Sequence, residues 1–349
     1  MHFYRMLLKA ILLGSLLMSL AGCGTLGYLV QAGAGQLAIA NRARPIEDVI
    51  ADERVSPQIR NLLKEIPSIK AFGEQQGLKP TKNYTDYVQL DRPAAVWVVS
   101  AAEALKFKSK EWSFPIVGTV PYLGWFDLKR AQEFARELER EGWDVDLRGA
   151  GAYSTLGWFK DPILSSMIDR GNAALGGLVN VVLHESVHAT FYIYGQAYFD
   201  ESLAKFVGDR LTEQYLELKR GATAGETQAY QQAEKRGQVY DRRMHETYLQ
   251  LDRLYNSARP DEEKRQKKAE ILGALQQELQ ARRPFTNATL LDHKEYNTGL
   301  EEFANLFKAC NSDWARFWRV IRTVEATSFS KTNEPELSPL LTALTKRCH

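Results

Sequence analysis

The stretch LVNVVLHESVHATFYIYGQAYFDESLAKFVG, Leu178 to Gly208, decides how this chain is read. Leu178, Val179, Val181, Val182, Leu183 and Val187 make its first half strongly apolar. Set into that run is His184-Glu185-Ser186-Val187-His188, the pattern H-E-x-x-H. On a helix, residues four apart stack on one face, so both imidazoles point the same way. Burying two histidines and a glutamate in an apolar helix is costly unless they are partnered, and a shared metal ion is such a partner. The bland alternative is two charged helices that happen to carry histidines. Chance produces the pattern on the order of once in a hundred chains of this kind, which makes accident the poorer account.

A catalytic zinc takes three protein ligands and leaves a position open. His184 and His188 supply two. A turn is expected at Tyr194-Gly195-Gln196, and a second helix is expected to open at Asp200-Glu201, with Leu203, Phe206, Val207 and Leu211 on its core face. Glu201 is the candidate third ligand, although an acid at a helix start also serves the helix dipole. Asp200 competes for the same role and also suits an N-cap. His245 and His293 sit in no motif and read as surface histidines. Glu185, one residue past the first ligand, is placed to take a proton from water and hand it to a leaving amine. Zinc adds Lewis-acid polarisation of a carbonyl. A donor must also meet the developing oxyanion; the sequence does not choose among the 15 tyrosines, of which Tyr296 in DHKEYNTG is one candidate.

Around this stretch the chain is ordinary globular sequence: 349 residues, 44% hydrophobic, 25% charged, net charge +2. A near-neutral balance gives no argument for a nucleic-acid partner. The first residues have a different character. Arg5 and Lys9 precede the apolar run Ala10–Leu20, too short to span a bilayer comfortably, and Leu20-Ala21-Gly22-Cys23 follows. That tetrapeptide resembles the bacterial lipobox, whose cysteine is acylated and becomes the first mature residue. The resemblance implies a signal peptide over residues 1–22 and a lipid anchor on Cys23. Gly24 in place of aspartate implies the outer membrane, with the soluble part facing the periplasm. An ordinary signal peptide with a stray cysteine is the alternative. Cys310 and Cys348 are either a disulfide, which an oxidising compartment permits, or two free thiols.

The Gly/Ala-rich residues 23–45 read as a tether, turning helical near Gln36–Arg42. Residues 46–349 read as a single α+β domain. Its part 46–176 is strand-rich and carries a mixed β-sheet; its part 177–349 is mainly helical. Pro57 and Pro67 are expected to break the helical pattern of 46–72. YVQL, AAVWVVSA, WSFPIVGTVPYLGWF, DVDLRG and AYSTLGWF are expected strands. A helix is expected between them, capped by Asp127 and ended by Gly142. Asp161-Pro162 is expected to open another helix. Residues 227–283 read as a helical hairpin broken at Ala258-Arg259-Pro260-Asp261, with Leu254, Tyr255, Ile271, Leu272, Leu275 and Leu279 as its packing stripe.

The site resembles the gluzincins, zinc peptidases with H-E-x-x-H and a downstream glutamate. More closely, the chain is similar to a bacterial family of zinc aminopeptidase lipoproteins. The resemblance is carried by Cys23, WSFPIVGTVPYLGWFD, AYSTLGWFKDPILSSMI, LHESVHATFY and FDESLAKFVG. It implies a zincin-like fold, Zn²⁺ on His184, His188 and Glu201, Glu185 as the catalytic base, and peptides as substrates. The gap from His188 to Glu201 is shorter than in the best-known gluzincins. In gluzincin aminopeptidases an edge strand before the zinc helix pairs with the substrate backbone. Gly151, Ala152, Tyr153 and Ser154 stand at the start of the corresponding segment here, and the alternative is that its aromatic residues are core. Asp161 and Asp200 are candidates to hold a substrate α-ammonium. Three other readings compete with aminopeptidase: a zinc endopeptidase, a zincin-fold binding lipoprotein without turnover, and a protein whose histidines are structural and which binds a partner through its helical hairpin.

Overall fold

The computed structural model describes residues 23–114, 118–152 and 160–348. The expected signal peptide, and the expected strand from Tyr153 to Phe159, lie outside the described residues. The chain is α+β, with helices dominant and the strands gathered into small sheets. The N-terminal part runs α1 (Cys23–Arg42), β1 (Arg44–Pro45), α2 (Ile46–Ala51), α3 (Pro57–Gln75), β2 (Asp86–Val88) and β3 (Val96–Ala102). Next come β4 (Trp112–Phe114), β5 (Gly118–Val120), β6 (Tyr122–Trp125), α4 (Leu128–Arg140), β7 (Asp144–Ala150) and β8 (Ile163–Leu164). Then follow α5 (Ala174–Thr190), α6 (Ala197–Arg220), α7 (Gly225–Tyr255), α8 (Asp261–Glu278), α9 (Asn287–Asn297), α10 (Leu300–Ala309), α11 (Trp314–Ile321) and α12 (Ser338–Thr345).

In place of one mixed sheet there are three small ones among the described residues. The order β1-β2-β8 is mixed, with β2 parallel to β8; β6-β3-β7 is antiparallel; β4 and β5 form a hairpin pair. Asp161-Pro162 leads into β8, not into a helix, because Ile163 and Leu164 pair with Tyr87 and Val88 and are buried. Helix α4 forms as its caps predict: the Asp127 carboxylate accepts from Arg130 N at 2.9 Å, and Gly142 adopts φ +89° just past the end.

Two expectations are corrected by packing. Helix α3 runs straight through Pro67. Leu62, Leu63, Ile66, Ile69 and Phe72 are buried along it, and at about 1.5–3 kcal/mol per buried large side chain this burial outweighs an interior proline's penalty of about 3 kcal/mol. Residues 23–42 are one helix laid against β6. The Gln31 amide donates to Gly124 O at 3.0 Å, and its Oε1 accepts from Phe126 N at 3.1 Å.

The core that carries the site joins α3, α5, α6 and the closing helices α10–α12. Behind α6, Phe206 is packed by Phe303, Phe307, Trp314 and Phe317. Such aromatic burial fixes the position of α6 along its length. The hairpin α7–α8 has its own small core of Met244, Leu251, Tyr255, Leu272 and Leu275, with Leu254, Ile271 and Leu279 at its margin.

Candidate metal centre

Helix α5 is held by its buried face: Leu178, Val179, Val182, Leu183 and Val187 are fully buried. It carries His184, Glu185 and His188 on its last two turns. The chain then turns through Tyr194 and Gly195, the latter at φ +79°, where a Cβ would be strained. Helix α6 packs back across α5. Its Gly208 lies so close to His184 that a Cβ there would stand 3.3 Å from the His184 Cα.

This crossing brings Glu201 to the two histidines. Glu201 Oε2 lies 3.4 Å from His184 Nε2 and 3.5 Å from His188 Nε2. One ligand atom from each residue lies within 4.8 Å of the others, and no other such His/Cys/Asp/Glu group occurs among the described residues. The imidazoles stand nearly perpendicular, centroids 5.0 Å apart. Burial disfavours the charged form of His188, but Glu201, with Glu185 and Asp200, outweighs it and lifts the imidazole to about 9. Burial likewise works against the Glu201 carboxylate, and His188 and His184 overcome it, holding that acid well below its ordinary range. The cluster thus draws positive charge to its centre. Two imidazole nitrogens and one carboxylate oxygen are the donor set of an open, catalytic zinc site. The residues present therefore fit such an ion.

Glu185 is half-buried beside the cluster, and its Oε2 is enclosed without a hydrogen-bond partner among the described residues. An enclosed carboxylate oxygen with no protein partner is costly, which a proton-transfer role would explain. Tyr84 is buried close enough to Glu185 and Asp161 for both to raise its hydroxyl, after burial itself, well above the ordinary phenol value. It therefore stays protonated. Its backbone is left-handed at φ +63°, held by Tyr84 N donating to Asp161 O at 2.7 Å.

The other candidates divide. Helix α6 opens at Ala197, so Asp200 is not its N-cap but lies in the first turn, where Oδ1 accepts from Ile193 N at 3.0 Å and pins the α5–α6 turn. Burial pushes Asp200 up to about 8, against the Ile193 N–H and His188. Asp200 and Asp161 are 1% and 2% exposed, so neither offers a surface carboxylate to a substrate ammonium. The Gly151 carbonyl accepts from Ser166 Oγ at 2.6 Å and is not a free edge group; Ala152 packs on the main core. Tyr153 and Ser154 lie outside the described residues, as does the Tyr296 side chain, although α9 includes that position. His245 is exposed; His293 is not a surface residue but bonds Asp241 through Nε2 at 2.7 Å.

Two neighbours were missed in the sequence. Tyr192 lies against His188, ring centroids 6.1 Å apart, and the spacing 184-188-192 could have flagged it. Tyr84 carries no local signal, since only the fold brings it to Glu185.

Cys310 and Cys348 form a disulfide. No curated protein and no solved structure matches the chain. A family model does match, over residues 27–335 and so most of the chain: by that match, this protein belongs to the family described as "Putative aminopeptidase".

Proposed function

We propose that the protein is a zinc-dependent aminopeptidase of the bacterial cell envelope, with a zincin-like site on α5 and α6. The observation that carries this reading is the convergence of His184, His188 and Glu201 beside the enclosed Glu185 Oε2. Family membership supports hydrolysis of peptides from the N-terminus. The two histidines and Glu201 would hold the ion. Zinc, when bound, supplies Lewis-acid polarisation of the scissile carbonyl and makes water easier to deprotonate.

The rest is done by the chain's own groups. Glu185 Oε2 takes a proton from the attacking water and delivers it to the amine nitrogen as the peptide bond breaks. Asp200, by holding Ile193 N, keeps the α5–α6 turn closed so that Glu201 stays opposite the histidines. Cys23, as the acylated residue, ties the domain to the outer membrane, with residues 1–22 removed. The Cys310–Cys348 disulfide supports an oxidising compartment such as the periplasm.

The test measures bound metal in the purified protein, then turnover of free-amino and N-blocked peptides by wild type and Glu185→Gln. One zinc per chain, cleavage of free-amino substrates, and loss of turnover with zinc retained in Glu185→Gln are expected. Absence of stoichiometric metal would remove the reading. Cleavage of N-blocked peptides alone would replace aminopeptidase by endopeptidase.

A further inference from the structure

Helix α1 has its polarity reversed. Two of its polar side chains face the protein: Gln31 is buried and its amide bonds Gly124 O in β6 and Phe126 N just past it, and Tyr28 accepts from Gly124 N at 3.3 Å. Its outward side carries Leu29, Val30, Gly33, Ala34, Leu37 and Ala38, all exposed, with Leu29 at 43% and Val30 and Leu37 at 64%. The first charged residue of the helix is Arg42, its last. A helix on a water-facing surface ordinarily turns its charges outward; here the outer face is apolar for about three turns.

Two further observations say what covers it. Cys23, the residue that the reading above acylates, is the first residue of α1, so the anchor would leave from the helix's own N-terminal end. At the other end Arg42, Arg44 and Arg54 line one groove, and Arg42, Arg92 and Arg130 line a second groove of about 480 Å³ that also borders Val30, Ala34 and Phe126. Asp52, Asp91 and Asp127 stand among these arginines and offset part of their charge. The helix is not apolar enough to cross a bilayer. An apolar face bordered by cations is the form of a helix that lies in the plane of a membrane surface.

We infer that α1 is an interfacial helix whose outer face rests in a phospholipid bilayer, with the arginines at its C-terminal end among the headgroups. The inference rests on the membrane-anchored part of the reading above. It changes what residues 23–42 do: they hold the domain against the membrane at a fixed face instead of tethering it at a distance.

The experiment uses the full chain, reconstituted into phosphatidylcholine vesicles containing phosphatidylglycerol, with a nitroxide on Leu37→Cys or, as reference, on the exposed Leu249→Cys of α7. Power saturation compares access by oxygen, which enters lipid, with access by a water-soluble nickel chelate. The Leu37 label is expected to be open to oxygen and shielded from nickel, and the Leu249 label open to both. Equal nickel access at the two positions overturns the inference. So does a Leu37 label shielded from both reagents with spin–spin broadening, which would mean that a second copy covers the face; failure of the chain to bind vesicles does the same. Intact mass reads acylation of Cys23 separately. An unacylated chain with Leu37 in lipid sinks the anchor and keeps the helix face, and an acylated chain with Leu37 in water does the reverse.

Discussion

Gly208 of α6 faces His184 of α5 with no room between them: a Cβ at Gly208 would stand 3.3 Å from both Cα and Cβ of His184. A helix crossing this close would set the distance from Glu201 to the histidines. Gly208→Ala asks His184 to yield a few tenths of an ångström, whereas Gly208→Val must part the helices. Overpacking costs typically about 1–3 kcal/mol, so Gly208→Val is expected to weaken zinc binding by about ten- to a hundredfold, and Gly208→Ala by less. Competition against a chromophoric chelator measures it. Unchanged affinity in the valine variant would show that the crossing does not set the ligand spacing.

Glu201 and Asp200 are neighbours with opposite assignments. Glu201→Gln removes the carboxylate facing both Nε2 atoms and is expected to weaken zinc by more than about a hundredfold, beyond the loss typical of outer-shell changes. Asp200→Asn keeps an oxygen for the Ile193 N–H and is expected to stay within about tenfold of wild type. Asp200→Ala leaves that buried N–H without a partner and should cost about 1–3 kcal/mol of stability. If Asp200→Asn loses zinc and Glu201→Gln keeps it, the ligand is Asp200.

The pH dependence of the metal-free protein follows from the same cluster. His188, lifted from 6.5 to about 9, contributes stability that is complete below about 6.5 and lost as pH rises through about 9. Asp200, lifted from 3.8 to about 8, prefers its protonated form when folded, so it too costs stability as pH climbs toward about 8. Glu201, held below its ordinary 4.5, contributes above about 4.5 and loses that contribution in acid. With chelator present, Tm should therefore peak near about pH 4 and fall toward about pH 9. Zinc must displace the His188 proton at neutral pH, so calorimetry in buffers of different ionisation enthalpy should read about one proton released near pH 7. No proton release would mean that His188 is already neutral in the metal-free site.

How much of this was legible in the sequence depends on how local each feature is. The α5 motif, the Gly195 turn, the α4 caps and the α7–α8 stripe are written in spacings of a few residues, and each appears where periodicity places it. Glu201 was nameable because it follows the turn closely. Asp200 was misread as a cap because Asp suits that position; its actual partner, Ile193 N, lies on the far side of the turn. Helix α1 and the passage of α3 through Pro67 were hidden for another reason. Partners distant in sequence, β6 for the one and the α5–α6 core for the other, override weak local preference. Gly208 and Tyr84 carry no local mark at all, because their meaning is a contact with α5 that exists only after folding.

The Cys310–Cys348 bond gives a prediction that separates scaffold from site. It closes a loop of 38 residues from the end of α10 to the tail beyond α12. Closing a loop of that length stabilises by about 4 kcal/mol in the chain-entropy account. Phe303 and Leu306 of α10, with Leu341 and Leu344 of α12, join the same core as Phe199 and Phe206 of α6, so the cross-link braces the wall behind Glu201 without touching His184, His188 or Glu201. Cys310→Ser/Cys348→Ser is therefore expected to lose about 3–4 kcal/mol in urea unfolding while zinc affinity of the folded protein changes less than about threefold. Both numbers come from one preparation, by denaturant titration and chelator competition. A large fall in zinc affinity with little change in stability would reverse the assignment and make the tail a part of the site.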